Sequence, residues 1–372
     1  MPLDIENPLV FGLHGMGEHD QGWSKELFDA LDGAVTTFKY AAIQNELTAR
    51  KKASIKDLID FKEICYGGVF QQLLKNWAAN AKDAMERSQN LPERQKIERG
   101  VGWLSKNGEP HDDFVWTHLM DVFFWLSSSY VRSMVKNEVA LVLSEQVAAR
   151  RKKDKGKRVY VSLVAHSLGT AVARETLNDM YSGGWVKERW TPDYLQFDSY
   201  HAIANVCELL NFSGSSAYEG YVRPAPPGGS AVLYFNDYRH KLDPFTVVRP
   251  FTPGNWSSDL YDRIDLQHIR GADVHAIKHY VVHPSVHIRI LRSWFGYFCV
   301  SGEEEREAQK AFTDLPLEDP NQIVTFAEEA AALVQRDFTL SPDLVDLLKG
   351  IATFRSLLKR GEEKKKPKGS KK

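Results

Sequence analysis

The chain holds only 3 cysteines in 372 residues, Cys65, Cys207 and Cys299, and they lie far apart and odd in number. That is too few and too scattered for a disulfide framework, so free thiols in a reducing, cytoplasmic compartment are expected. A secretory leader is not expected either: Pro2, Asp4, Glu6 and Asn7 stand where a basic segment and an apolar run would have to be. Nowhere does the sequence reach the run of about 18–20 uncharged apolar residues that spans a bilayer. The most apolar stretch, Val115 to Val135, is interrupted by His118, Asp121 and Arg132. Its apolar positions Leu119, Val122, Phe123, Leu126 and Tyr130 fall at helical spacing, which fits a helix packed on a core or an apolar cap touching lipid. A formal net charge of −1 gives no overall attraction to nucleic acid. No internal repeat is present.

What the chain does have is material for a large core, at 43% hydrophobic residues. Its most informative segment runs from Val159 to Thr170. A buried strand enters Ala165-His166-Ser167-Leu168-Gly169, and a helical run follows from Ala171 to Met180. A serine between small residues at a strand's end suits a sharp strand-to-helix turn, because bulky side chains two places before or after would clash. Such a turn lifts the Ser167 hydroxyl above the sheet and points the helix N-terminus, with the Leu168 N–H, at any oxyanion formed there. The segment resembles the nucleophile elbow of the α/β-hydrolase superfamily, with Ala165 in place of the usual first glycine.

A second apolar strand near the N-terminus, Pro8 to Leu13, ends in His14-Gly15-Met16-Gly17. By the same resemblance the Met16 N–H is the second oxyanion donor. The glycines Gly12-x-x-Gly15-x-Gly17 run in the reverse order to a dinucleotide fingerprint, and no matching acidic residue follows, so no nucleotide cofactor is expected.

The superfamily places its acid and then its histidine after the serine. The apolar run Ala231 to Phe235 looks like a late strand, and the Asn236…Asp243-Pro244-Phe245 layout resembles the loop that carries the acid. Asp243 is therefore the candidate acid and Asp237, one residue past the expected strand, the alternative. After a last strand at Ile264 to Ile269, the pattern Asp273, His275, Tyr280, Pro284, Val286 resembles the loop that carries the base. His275 is the candidate base, and His279, one helical turn on, is the alternative.

Histidines 275, 279, 283 and 287 recur at every fourth position, a spacing that can ligate metal from a continuous helix. Pro284 interrupts that helix and no His-Glu-x-x-His is present, so no metal site is expected.

Strands alternating with helical runs predict an α/β fold, and the resemblance predicts the α/β-hydrolase fold in particular. It has a mainly parallel central sheet flanked by helices, in one domain over residues 1–358. A strand near Leu58 to Tyr66, a helical insertion at about 70–150 before the nucleophile strand and packed helices at about 302–358 complete it. The basic run Arg150 to Arg158 falls on the sheet edge opposite the serine. Residues 359–372, with eight Lys or Arg against two Glu, read as a disordered basic tail. The activity implied is cleavage of a small-molecule or lipid carboxylic ester by a Ser-His-Asp triad, as in esterases and lipases, with peripheral membrane contact. Acyl transfer, thioester cleavage or a catalytically silent scaffold would use the same fold. Oligomeric state is not legible in the sequence.

Overall fold

The computed structural model describes residues 3–15, 22–70, 72, 121, 125–126, 128–155, 158–185, 190–210, 220–247, 249–268 and 273–314. Most of the helical insertion expected at about 70–150, between 73 and 120, the part beyond 314 of the helices expected at about 302–358, and the basic tail lie outside the described residues.

Six strands form one all-parallel sheet: β1 (Leu9–Leu13), β2 (Asp60–Ile64), β3 (Val161–His166), β4 (Phe197–Ile203), β5 (Val232–His240) and β6 (Tyr261–Leu266). Helices α1 (Lys25–Phe38), α2 (Ala41–Ala49), α3 (Ser129–Lys153), α4 (Leu168–Ser182), α5 (Pro244–Val247), α6 (Ile277–Val281), α7 (Pro284–Phe295) and α8 (Gly302–Asp314) occupy the connections and the end of the described chain. Every residue of β1 is buried, as a parallel strand covered on both faces must be. The two-residue strand period then divides it: Leu9, Phe11 and Leu13 join one core and Val10 the other.

The first core lies under α3 and α4. Along α3 the buried residues Val131, Val135, Val139, Leu143 and Val147 fall on every fourth position and form a single stripe toward the sheet. Ser128 caps the helix, its hydroxyl accepting from the Val131 N–H at 3.3 Å. Four basic residues, Arg150 to Lys153, close its last turn where the helix dipole favours cations. The opposite core lies under α1 and α7, with Leu27, Leu31 and Val35 from one helix and Val286, Ile290 and Trp294 from the other. At the start of α7, Pro284 takes a first-turn place where its missing N–H leaves no gap in the helix ladder.

The strand order β2-β1-β3-β4-β5-β6 fixes where a site can form. From β1 the chain steps outward to β2, then returns past β1 to β3 and proceeds to β6. Connections from β1 and β3 therefore leave in opposite directions, which makes their carboxyl ends the topological switch point of the sheet. Leu13 pairs with Ala165 there, so His14-Gly15 and His166-Ser167 emerge side by side.

Three expectations about elements need correction. The strand after Ser167 starts as expected but runs on to His240, so Asp237 lies within β5 and not past it. The last strand is displaced toward the N-terminus, ending at Leu266 instead of Ile269. Between these and β3 stands β4, which the sequence reading passed over.

Candidate active site

Ser167 is the single residue between β3 and α4, and its backbone is held at φ 54°, ψ −128°. A non-glycine residue at positive φ costs of order 1–3 kcal/mol, so surrounding structure must enforce it. The enforcement comes from hydrogen bonds. The Ser167 N–H donates to the Ile203 carbonyl at 3.0 Å, and the Ser167 carbonyl accepts from the Thr170 N–H at 2.8 Å. The Thr170 hydroxyl also donates to that carbonyl at 2.7 Å, while accepting from the Val206 N–H at 3.2 Å. The exit of β4 thus clamps the turn from beneath.

Close approach explains the two glycines around it. A side chain at Gly169 would collide with the carbonyl oxygen of His14 and come within 2.9 Å of that of Leu13. One at Gly15 would lie 2.9 Å from the Ser167 Cβ. Only hydrogen at both positions lets the end of β1 sit against the turn. Tyr66, just past β2, holds that end by donating to the His14 carbonyl at 2.6 Å, with its ring stacked on His14 at 4.3 Å.

Toward Ser167 reaches His275, on the turn before α6. Its Nε2 lies 2.8 Å from the Ser167 Oγ and its Nδ1 lies 2.8 Å from Oδ2 of Asp243. A carboxylate can only accept, so Nδ1 carries the hydrogen and Nε2 is left to accept from the serine hydroxyl. The His275 turn is itself fixed. Asp273 accepts from the His275 and Ala276 N–H groups at 3.1 Å each, and the His166 Nε2–H donates to the His275 carbonyl at 2.8 Å. The His275 side chain is 13% exposed, and Phe245 packs against its ring at 4.5 Å.

Asp243 follows β5 and is fully buried. Burial alone would drive its carboxyl upward, but the His275 charge and hydrogen bonds from His275, Tyr280 and the Phe245 N–H outweigh it and hold Asp243 below the usual carboxylate range. Burial likewise pulls His275 down, and the adjoining Asp243 carboxylate more than reverses this, raising it above its ordinary 6.5. Both directions describe one ion pair in which the aspartate stays charged.

The two alternatives sit elsewhere. Asp237 is buried inside β5, accepting from the Asn205 side-chain amide at 2.8 Å and the Tyr261 hydroxyl at 3.4 Å, and burial pushes it up to about 7. His279 lies within α6, its ring 5.0 Å from His240, and burial with that neighbour pushes it down to about 3. The hydrogen-bonding place at Ser167 is taken by His275. Of the other recurring histidines, His283 caps α7 by accepting from the Ser285 N–H at 3.1 Å. His287, inside α7, donates from Nδ1 to the Val281 carbonyl at 2.8 Å and accepts from the Tyr40 hydroxyl at 2.7 Å. The four histidines therefore face different neighbours, and among the described residues no group of three His, Cys, Asp or Glu side chains is disposed to hold a metal.

Leu168 opens α4, where its N–H belongs to the unpaired first turn beside Ser167. Met16 lies outside the described residues. Thr170, Tyr66, His166 and Tyr280 all shape the site, and the sequence reading gave none of them these roles. Their contacts are long-range or to backbone, so although Tyr280 stood in the pattern around the candidate base, no local signal assigned any of them its partner.

Comparison of the chain with models of known protein families and with curated proteins gives no match. Among the described residues no helix is long and apolar enough to cross a membrane.

Proposed function

We propose that this protein is a serine hydrolase of the α/β-hydrolase type that cleaves carboxylic esters through an acyl-enzyme. One observation carries the reading: Ser167, on a strained turn at the sheet's switch point, meets His275 at 2.8 Å, which meets the buried Asp243 at 2.8 Å. In the proposed reaction the Ser167 Oγ attacks the acyl carbonyl carbon as its proton passes to the His275 Nε2. The carbonyl electron pair moves onto oxygen, where the Leu168 N–H and, by the resemblance, the Met16 N–H stabilise it. When the electron pair returns, the C–O bond to the alcohol breaks and His275 protonates the leaving oxygen. Water, deprotonated by His275, then attacks the acyl-serine and releases the acid. Asp243 keeps the imidazole in the required tautomer and stabilises its cation.

The test is covalent labelling by a fluorophosphonate, followed by turnover on p-nitrophenyl esters of graded acyl length, with thioester and phospholipid arms. The wild-type protein is expected to be labelled and Ser167→Ala to lose both labelling and turnover while keeping its thermal unfolding midpoint. Turnover near wild-type level in Ser167→Ala would overturn the assignment.

A further inference from the structure

Two side chains from one short segment converge on a single oxygen of Asp243. His275 approaches Oδ2 through Nδ1 at 2.8 Å, and Tyr280, one turn into α6, donates its hydroxyl to the same Oδ2 at 2.7 Å. Oδ1 is held separately by the Phe245 N–H at 3.0 Å. With both oxygens fixed, the carboxylate cannot rotate, and Oδ2 stays in the plane that aims the His275 Nε2 at Ser167. Tyr280 is fully buried against the core beneath α1 and α7, so its hydroxyl is aimed by packing and does not sample water. A buried phenol that spends its only hydrogen on a buried carboxylate makes a charge-assisted bond, roughly twice as strong as a neutral one.

We infer that Tyr280 is a positioning residue for the proposed reaction, fixing the Asp243 carboxylate and tempering its pull on His275. The inference rests on the serine-hydrolase reading for its kinetic consequence but not for its electrostatic one. When His275 is neutral, Asp243 depends on Tyr280 to balance its charge. When His275 is protonated, the imidazolium supplies that balance itself. Loss of the Tyr280 hydroxyl therefore favours proton uptake by the pair, and the pair should titrate at higher pH.

Other ionisable groups face the pair. Asp273 and His166 flank His275, while His240 and His279 lie beyond Asp243. Asp273 raises His275 through its charge and is itself coupled to both His275 and Asp243, while Tyr280→Phe leaves its hydrogen bonds to the His275 and Ala276 N–H groups in place. Burial keeps both His240 and His279 below the ordinary histidine range, so neither gains a charge in the window where the pair titrates.

The experiment is Tyr280→Phe, which keeps the ring and removes only the hydroxyl. NMR titration of the His275 imidazole nitrogens in both proteins should show its midpoint rising by about one pH unit, the scale of one lost hydrogen bond to a charged group. In turnover, kcat should fall about tenfold with KM unchanged, and the acid limb of kcat/KM should move up with the NMR midpoint. In an Asp243→Asn background the same change should have little further effect, since Tyr280 acts through that carboxylate. An unmoved His275 midpoint, or an equal loss of kcat with and without Asp243, would overturn the inference. Should the wild-type protein fail to turn over esters, the enzymatic reading falls while the NMR shift still decides the role of Tyr280.

Discussion

Both Asp243 and Asp237 are fully buried carboxyls on or just past β5, yet their surroundings drive them in opposite directions. Asp243 has three hydrogen-bond donors, the His275 imidazole, the Tyr280 hydroxyl and the Phe245 N–H, and it is held charged. Asp237 has only an amide and a distant phenol within hydrogen-bond reach, and burial prevails. The same contrast separates His275, raised by a carboxylate, from His279, lowered by burial beside another histidine. His275→Gln should therefore abolish fluorophosphonate labelling of Ser167, whereas His279→Gln should mainly shift the unfolding midpoint. The reverse outcome would transfer the base to His279. Because a neutral His275 must accept the serine proton, activity should disappear as pH falls through its raised value. The acid limb of kcat/KM is expected above 6.5, and a limb at or below that value would contradict the ion pair. Residue types and their order in the chain made Ser167, Asp243 and His275 legible in the sequence. Choosing between neighbours a few residues apart needed burial and direction, which no linear pattern encodes.

Among the elements, β3, the Ser167 turn and α4 were the most legible, because the steric demand of that turn is local. Gly169 shows the demand directly. A methyl group there would strike the end of β1 at the carbonyls of Leu13, the last strand residue, and His14, which the Tyr66 hydroxyl holds in place. Gly169→Ala is expected to displace α4 from β1, lower the unfolding midpoint and weaken labelling of Ser167 together. Thermal unfolding and probe labelling on the same preparation check this, and a variant that keeps both would show the packing to be looser than described. By contrast, β4 was passed over because its sequence mixes Asp198, Ser199 and His201 among apolar residues. Each polar group finds a partner across the sheet or from the helix layer. Asp198 meets Arg158, Ser199 meets Ser162, and His201 meets Tyr238 and Ser293. In the polar second half of β5, Asp237 is likewise satisfied, from β6 and the loop after β4. Hydrophobic periodicity cannot register a strand whose polar residues are paired only in three dimensions.

For the whole molecule, stability should carry the mark of Asp237. Its folded value near 7 lies well above its ordinary 3.8, so between these values the folded chain retains a proton that the unfolded chain has lost. Stability then falls as pH rises through that window, the opposite of the usual salt-bridged aspartate. Asp237→Asn, which cannot ionise, should remove this fall. Unfolding midpoints of both proteins from pH 4 to pH 8 test it, and parallel curves would show that Asp237 is charged throughout. At this scale the sequence by itself determined the α/β class and the sharp strand-to-helix turn at Ser167. Short continuous apolar runs separated by helical stretches dictate buried parallel strands, and a serine with Ala165 and Gly169 two places either side admits few backbone paths. Tertiary structure alone decided the strand order, and with it the switch point between β1 and β3. It also decided which carboxylate is ionised, which histidine faces Ser167 and what holds Asp243 still. Those outcomes depend on which distant side chains share a desolvated space, and Tyr280, Thr170 and Tyr66 acquire their roles only once the sheet has brought them there.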